Sequence, residues 1–469
     1  MKMKNKTVLK GCIIGFSLIL ISVFAMYLGL AGYYSDGFSY GTWINGVYCT
    51  GKSINEINDE LLKKYDYEGL TVVMDDGKSY TIFADEVNLS FSFVEALELY
   101  REMQNPYLWI DNLLASGKEE ALQPTIQYDR AIFEKKLESF GITEGKSDDD
   151  KQVKILRGDN GYYLLNEREH AFDGKMAKNL IYSSFENLEP LIDLNAAGCY
   201  RDLPLTSDME DTLKLWKLLS EYQDCGIVYQ IGEDQVSVDR GIVADFLLID
   251  SDGDFVFDEN GNLCTDESKI YDFVDALADK YDTVGKTRLF HATRGETVKV
   301  SGGIYGNKID RDAEKEYLLT AFLDKKAELH TPEYTQTAVK QGLDDIGDTY
   351  IEVDMTEQML YYYVEGRLEI ETPVVTGNVS LKRGTPCGTN YVYGKQRNRT
   401  LRGEGYASFV KYWLPVNGNI GIHDSSWRKE YGSDIYLKNG SHGCINTPEE
   451  AISKLYDMVD TGTPCIMFY

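Results

Sequence analysis

The side chains best able to do chemistry in this chain lie in "IGIHDSSWRKEYGSDIYLKNGSHGCINTP", residues 420–448. They are His423, His442 and Cys444. Cys444 sits among glycines on a turn, ahead of a helix that Thr447 is expected to cap, with Pro448 at its first position and Glu450 completing a capping box. A thiol beside a helix N-terminus meets free backbone N–H groups and a favourable dipole, which lower its pKa and can hold an oxyanion. A free thiol, with a pKa of about 8.5, is mostly protonated at neutral pH and needs a base. His442 is too close in sequence to serve easily. His423, at a strand end after "NIGI", presents its ring freely. His423, Asp424, His442 and Cys444 are also potential zinc ligands, although their spacing fits no zinc-finger pattern. A cysteine can equally be packing. From the residues alone, nucleophile, zinc site and inert filler all stand.

The elements that must position these groups are strands. From 349 to 469 the runs "TYIEVDM", "QMLYYYVEG", "RLEIETPVVTG", "TNYVYG", "ASFVKYWLPV" and "NIGIH" read as β, with tight turns between them. One helix, with Ala451, Ile452, Leu455, Met458 and Val459 on its apolar face, precedes a closing strand "GTPCIMFY". This last domain is mostly β.

Residues 330–348 have linker composition. Ahead of them, 43–335 alternates short strands with amphipathic helices and reads as two α+β domains. Residues 51–65 form a helix with Ile54, Ile57, Leu61 and Leu62 on one side, followed by a hairpin with a DG turn. "FDGKMAKNLIYSSFENL" and "IDRDAEKEYLLTAFLDKK" read as further helices of the same kind. "IDSDGDFVFDENGNL" (249–263) tempts an EF-hand reading, but Phe255 and Leu263 stand where that loop needs Gly. A hairpin turning at Asn260-Gly261 fits better.

At the N-terminus, Lys2, Lys4, Lys6 and Lys10 precede "GCIIGFSLILISVFAMYLGLAGYYS" (11–35), and the first acid is Asp36. At about 1.5 Å per residue this run exceeds the ~30 Å hydrocarbon core. The charge bias places 1–10 in the cytoplasm, 11–35 in the membrane as an uncleaved signal anchor, and the rest outside on the cell-wall side. Tyr27, Tyr33 and Tyr34 suit the outer interface. "GLA" at 29–31 supplies the rival, a cleaved signal peptide. The net charge of −28 is spread through segments with apolar periodicity, which argues against nucleic acid as a partner. Of eight cysteines, Cys12 lies in the membrane run, leaving seven outside. Disulfides are permitted there, with one odd thiol as remainder.

"HDSSW…GSHGCIN" resembles the signature of the L,D-transpeptidase (YkuD-like) catalytic domain, a His followed after a spacer by Ser/Thr-His-Gly-Cys-x-Asn. "RGTPCGTNYVYG" (383–394) resembles that family's Thr-Pro-x-Gly segment, and "GTPCIMFY" its terminal strand. Residues 43–335 are similar to the peptidoglycan-binding-type domains that often precede it in Gram-positive bacteria. The resemblance implies a multidomain protein: an α+β N-terminal region with one transmembrane helix, and a C-terminal β-sandwich. It implies Cys444 as nucleophile and His423 as base, the base being oriented by the backbone carbonyl of Asp424. Backbone of His442, Gly443 and Cys444 would surround the oxyanion, and Ser441 and Asn446 would brace the loop. Trp427 would wall the groove and Arg383 would meet a substrate carboxylate. The implied activity is cross-linking of peptidoglycan stem peptides with no cofactor and no metal. A carboxypeptidase using the same site, a zinc-dependent wall peptidase and a non-catalytic wall-binding protein are its rivals. The acceptor amine and the oligomeric state are not legible.

Overall fold

The computed structural model describes residues 2–115, 117–403 and 406–469. Met1, the first residue of the expected cytoplasmic tail, lies outside the described residues. Helix α1 (Lys2–Ser35) is continuous. Its stretch Val8–Ser35 is 28 residues long and apolar enough to cross a membrane. Leu18, Ile19 and Phe24 on it are exposed.

The chain divides into two compact units, Met1–Val153 with Asn166–Thr206, and Lys154–Leu165 with Ser207–Tyr469. In the first unit, Ser53 and Glu56 form a reciprocal capping box on the helix Ile54–Leu62, which buries Ile57 and Leu61. The expected hairpin pairs Gly69–Val73 with Ser79–Phe83, and Leu191–Asp193 joins it in parallel. Helices Arg130–Ser139 and Gly174–Glu186 cover that sheet through Phe133, Leu137, Ile181 and Phe185.

The second unit opens with helices Ser207–Gln223, Glu267–Tyr281 and Arg311–Leu323 around a core that includes Leu219, Tyr229, Val274 and Phe322. At 249–263 the chain forms short antiparallel bridges, Ile249 with Phe255 and Phe257 with Leu263. The Asp258 carboxylate accepts the N–H groups of Asn260 and Asn262, so its oxygen is spent on a turn.

The stretch 330–348 is not the free linker its composition suggests. Leu329–His330 and Tyr334–Gln336 are strands, paired with Val228–Ile231 and Lys308–Ile309. Asp345, 1 % exposed, accepts a bidentate pair from Arg288 at 2.9 and 2.6 Å and a hydroxyl hydrogen bond from Thr283 at 2.6 Å. Removing one partner of a buried pair strands the other charge, at a cost of about 3–5 kcal/mol. Arg288→Met is expected to lower stability by that order in urea unfolding and to open 337–348 to protease first. An unchanged unfolding midpoint would refute this.

The last domain holds two sheets. Strands β1 (Tyr350–Asp354), β2 (Met359–Val364), β3 (Arg367–Pro373), β4 (Gly388–Tyr391) and β9 (Pro464–Phe468) form one, in the order β3-β2-β1-β9-β4. Strands β5 (Gln396–Gly403), β6 (Tyr406–Asn417), β7 (Ile420–Asp424) and β8 (Ile445–Thr447) form the other, in that order. The alternating apolar residues of both sheets, among them Val353, Leu360, Met467, Leu414 and Ile422, share one core with Ile452 and Leu455 of helix α2 (Glu449–Met458). The capping box expected at this helix is absent. Thr447 belongs to β8, paired with Asp424, and its hydroxyl donates to the Ile445 carbonyl. A residue held in a strand cannot also turn its side chain back over the first helical turn.

Candidate active site

Strand register builds the site. In β7 His423 lies opposite Trp413 of the antiparallel β6 and beside Asn446 of the parallel β8. Cys444 lies one residue before β8. His423 is 2 % exposed and Cys444 9 %, and both line a groove of about 600 Å³. Trp427, Arg428, Lys429 and Glu430 line it as well, as do Ile435, Asn439, Ser441 and His442, and Leu401 and Ser408 of β5 and β6.

The hydrogen bonds settle the tautomer of His423. A carbonyl can only accept, so the 2.6 Å contact of His423 Nδ1 with the Asp424 backbone oxygen is an N–H donated by the ring. Arg428 Nε donates to Asn446 Oδ1 at 2.7 Å, which leaves the Asn446 amide nitrogen facing His423 Nε2 at 3.2 Å. That amide donates, so Nε2 carries a lone pair. Burial lowers the pKa of His423, against the raising effects of the Asp424 carbonyl and carboxylate. The Asp424 side chain also accepts the Tyr412 backbone N–H at 2.8 Å.

The Cys444 thiol is pushed up to about 11 by burial, with the Gly421 backbone N–H opposing. Desolvation therefore outweighs the lowering expected from the nearby helix N-terminus. Its thiol faces the Asn419 carbonyl at 3.7 Å. Among the described residues no hydrogen bond joins Sγ to the His423 ring. The resting pair is a neutral thiol and a neutral imidazole.

The loop carrying Cys444 is closed on itself. Ser441 Oγ donates to the Cys444 carbonyl at 2.5 Å and accepts the Gly443 N–H at 3.0 Å. Thr385, of the Thr-Pro-x-Gly segment, donates to the Gly443 carbonyl at 2.7 Å and accepts the Gly377 N–H at 2.9 Å. Gly443 has φ of +120°, a backbone conformation that side chains rarely adopt, and a Cβ there would press on Ile420 Cδ1 at 2.6 Å, so the position favours glycine. With its N–H given to Ser441, Gly443 drops out of the oxyanion donors assigned to it above. Trp427 is half exposed, its ring 6.0 Å from that of His423. Arg383 is not among the groove-lining residues; its Nη1 donates to His442 Nε2 at 2.6 Å.

Two features escaped the sequence reading. Asn446 touches the His423 ring itself, and Arg428, in the spacer between the two motif halves, holds Asn446. The Trp-Arg pair directly after "HDSS" was the available signal. The disulfides permitted outside the membrane do not form: all eight cysteines are unpaired, and Cys49, Cys199, Cys225 and Cys465 lie in four different hydrophobic clusters.

A two-sheet domain that aims a buried Cys and a neutral His into one groove defines a thiol acyl-transfer site. Residues 348–467 match the L,D-transpeptidase catalytic domain family, and residues 259–330 match the family described as "Putative peptidoglycan binding domain". The chain is 31 % identical to an Enterococcus faecium L,D-transpeptidase solved as a cysteine-to-serine mutant, over 54 % of this chain and 100 % of that one, with a TM-score of 0.48. To the catalytic domain of the E. faecium enzyme acylated by ertapenem it is 44 % identical, over 26 % of this chain and 98 % of that one, with a TM-score of 0.25. No curated protein matches the chain. The identity across the whole of the first relative is decisive: the chain belongs to the L,D-transpeptidase family, and it is a peptidoglycan L,D-transpeptidase.

Proposed function

We propose that Cys444 is the nucleophile and His423 the general base of this transpeptidase. The observation that carries the reading is the ring's fixed tautomer, Nδ1–H on Asp424 and a lone pair on Nε2, in the groove that also holds Cys444. As the peptide enters, Nε2 exchanges the Asn446 amide for the thiol proton. Sγ attacks the carbonyl joining the L-centred third residue of a stem tetrapeptide to its terminal D-alanine. The tetrahedral intermediate collapses to a thioester, and the D-alanine amine leaves with the proton held by His423. An amine of a neighbouring stem then attacks the thioester, gives a proton to His423, and the thiol is restored. Such hydrogen bonds commonly tighten only in the substrate complex. Carbapenems, whose strained carbonyl resembles the donor amide, acylate the same sulfur.

Both ring nitrogens of His423 are engaged by Asp424 and Asn446, and His442 Nε2 by Arg383. The histidines are thus not arranged to ligate zinc, which disfavours the metallopeptidase rival. Helix α1 is the anchor, uncleaved, with 1–10 cytoplasmic and the groove on the wall side. Residues 43–335 serve as wall-binding or spacer domains ahead of the catalytic domain, 349–469. Incubating the full chain with purified muropeptides should give dimers joined between third residues. Release of D-alanine without dimers, at every acceptor concentration, would instead make the enzyme a carboxypeptidase.

A further inference from the structure

We propose that Arg428 is the carboxylate-binding residue for the donor peptide, a role that rests on the reading of Cys444 and His423 above. Arg428 is half-buried in the groove wall. Its Nε is committed to Asn446, and among the described residues its two terminal nitrogens have no protein acceptor and no carboxylate within 4.0 Å. The nearby acids are otherwise disposed: Asp424 faces the Tyr412 N–H, and Glu430 lines the groove with no ion pair among the described residues. Two parallel terminal N–H groups are the fork that fits a carboxylate bidentately. Burial lowers the pKa of this guanidinium, a cost that an anionic ligand offsets. Because Asn446 bridges Arg428 to the His423 ring, an anion on the fork lies close to the base. The terminal carboxylate of the departing D-alanine is only a few bonds from the scissile carbonyl, so it suits this place. A longer stem carries that carboxylate one residue too far.

The test uses the full chain and three synthetic stem tetrapeptides. One has free carboxylates, one a terminal carboxamide, and one an amidated internal carboxylate. The wild type should prefer the free acid to the terminal carboxamide by about 10–100-fold in kcat/KM, as expected for a lost charge-assisted pair. Arg428→Gln should shrink that ratio to within about twofold, whatever it does to the absolute rates through its hold on Asn446, and Arg428→Lys should keep part of it. Discrimination confined to the internal amide would uphold the carboxylate fork with that group as its source. Equal losses on all three peptides in Arg428→Gln would reduce Arg428 to a brace for Asn446 and overturn the proposal, as would an unchanged ratio. Absence of any thioester on Cys444 in the wild type is a separate readout, and it would bring down the nucleophile reading and this proposal together.

A different observation carries a second inference, which rests on α1 crossing the membrane. We infer that residues 103–114 lie in the outer lipid interface. Met103 and Leu114 are 77 % and 80 % exposed, and Leu108, Ile110 and Leu113 are exposed beside them. This surface is continuous with the spanning helix. Trp109 packs on Ala31 and Tyr34, the Tyr27 hydroxyl donates to the Tyr107 carbonyl at 2.6 Å, and Trp109 and Ile110 share an apolar cleft with Leu20, Val23 and Phe24. An apolar face at that height, rich in Trp and Tyr, matches the chemistry of the headgroup–acyl boundary. With the full chain in phosphatidylcholine vesicles, brominated acyl chains should quench tryptophan emission in the wild type and far less in Trp109→Phe. Leu108→Asp with Leu114→Asp should weaken the quenching while the protein stays carbonate-resistant. Equal quenching in wild type and Trp109→Phe would overturn the inference. Carbonate extraction of the wild type would instead remove the anchor on which it rests.

Discussion

Cys444→Ser is expected to abolish both cross-linking and carbapenem acylation, with activity falling by at least about 10³-fold, the order seen when a nucleophile is removed from a working site. Intact mass of the wild type should rise by one drug molecule and that of the variant by none. A serine hydroxyl is a far weaker nucleophile, and nothing in this groove is arranged to activate one. Simple alkylation is a poorer test here. Cys387 is exposed, whereas Cys444 is buried with its thiol held protonated, so iodoacetamide does not single out the site. EDTA should change neither acylation nor cross-linking, because the histidine nitrogens are occupied by protein groups. Loss of activity on chelation, restored by zinc, would sink the assignment.

The motif was legible because its chemistry is local: a thiol in a tight glycine turn and an imidazole on a strand end can be read from neighbouring residues. What depended on pairing between distant strands was not. Asn446 reads as a loop brace in sequence, yet the parallel register of β7 with β8 places it against the His423 ring. Gly443 reads as an oxyanion donor until the serine two residues earlier takes its N–H. Arg383 and Arg428 look alike as isolated arginines, and only the fold shows that Arg428 enters the groove while Arg383 turns to His442. Thr447 illustrates a local signal overridden by tertiary structure, since a cap-forming sequence was drawn into a strand. The apolar helix at the N-terminus needed no such context, its length and composition being enough. The pinned 330–348 stretch lay at the other extreme, because a buried Asp345 bound by Arg288 has no signature in composition.

His423→Ala should cost about 10²–10⁴-fold in donor acylation, the usual worth of a positioned general base. The pH profile carries the finer information. Burial lowers the pKa of His423 below its ordinary value of 6.5, so the base stays neutral and competent as pH falls to 6.5, and activity is lost only as pH drops further through the lowered value. The thiol, pushed up to about 11, keeps its proton through the neutral range, so the alkaline limb from Cys444 belongs near that value and not near 8.5. A thiolate–imidazolium pair would behave oppositely, with the thiolate formed at neutral pH and reacting at a constant rate from acid to mildly alkaline solution. In the wild type, kcat/KM for donor acylation should therefore show its acid limb below pH 6.5. In His423→Ala that limb should vanish, and the small residual rate should climb tenfold per pH unit, because hydroxide must then do what the imidazole did. Thiolate absorbance in the resting wild type at neutral pH, with a flat reaction profile, would show that the pair is charged and that His423 stabilises an anion instead of removing a proton.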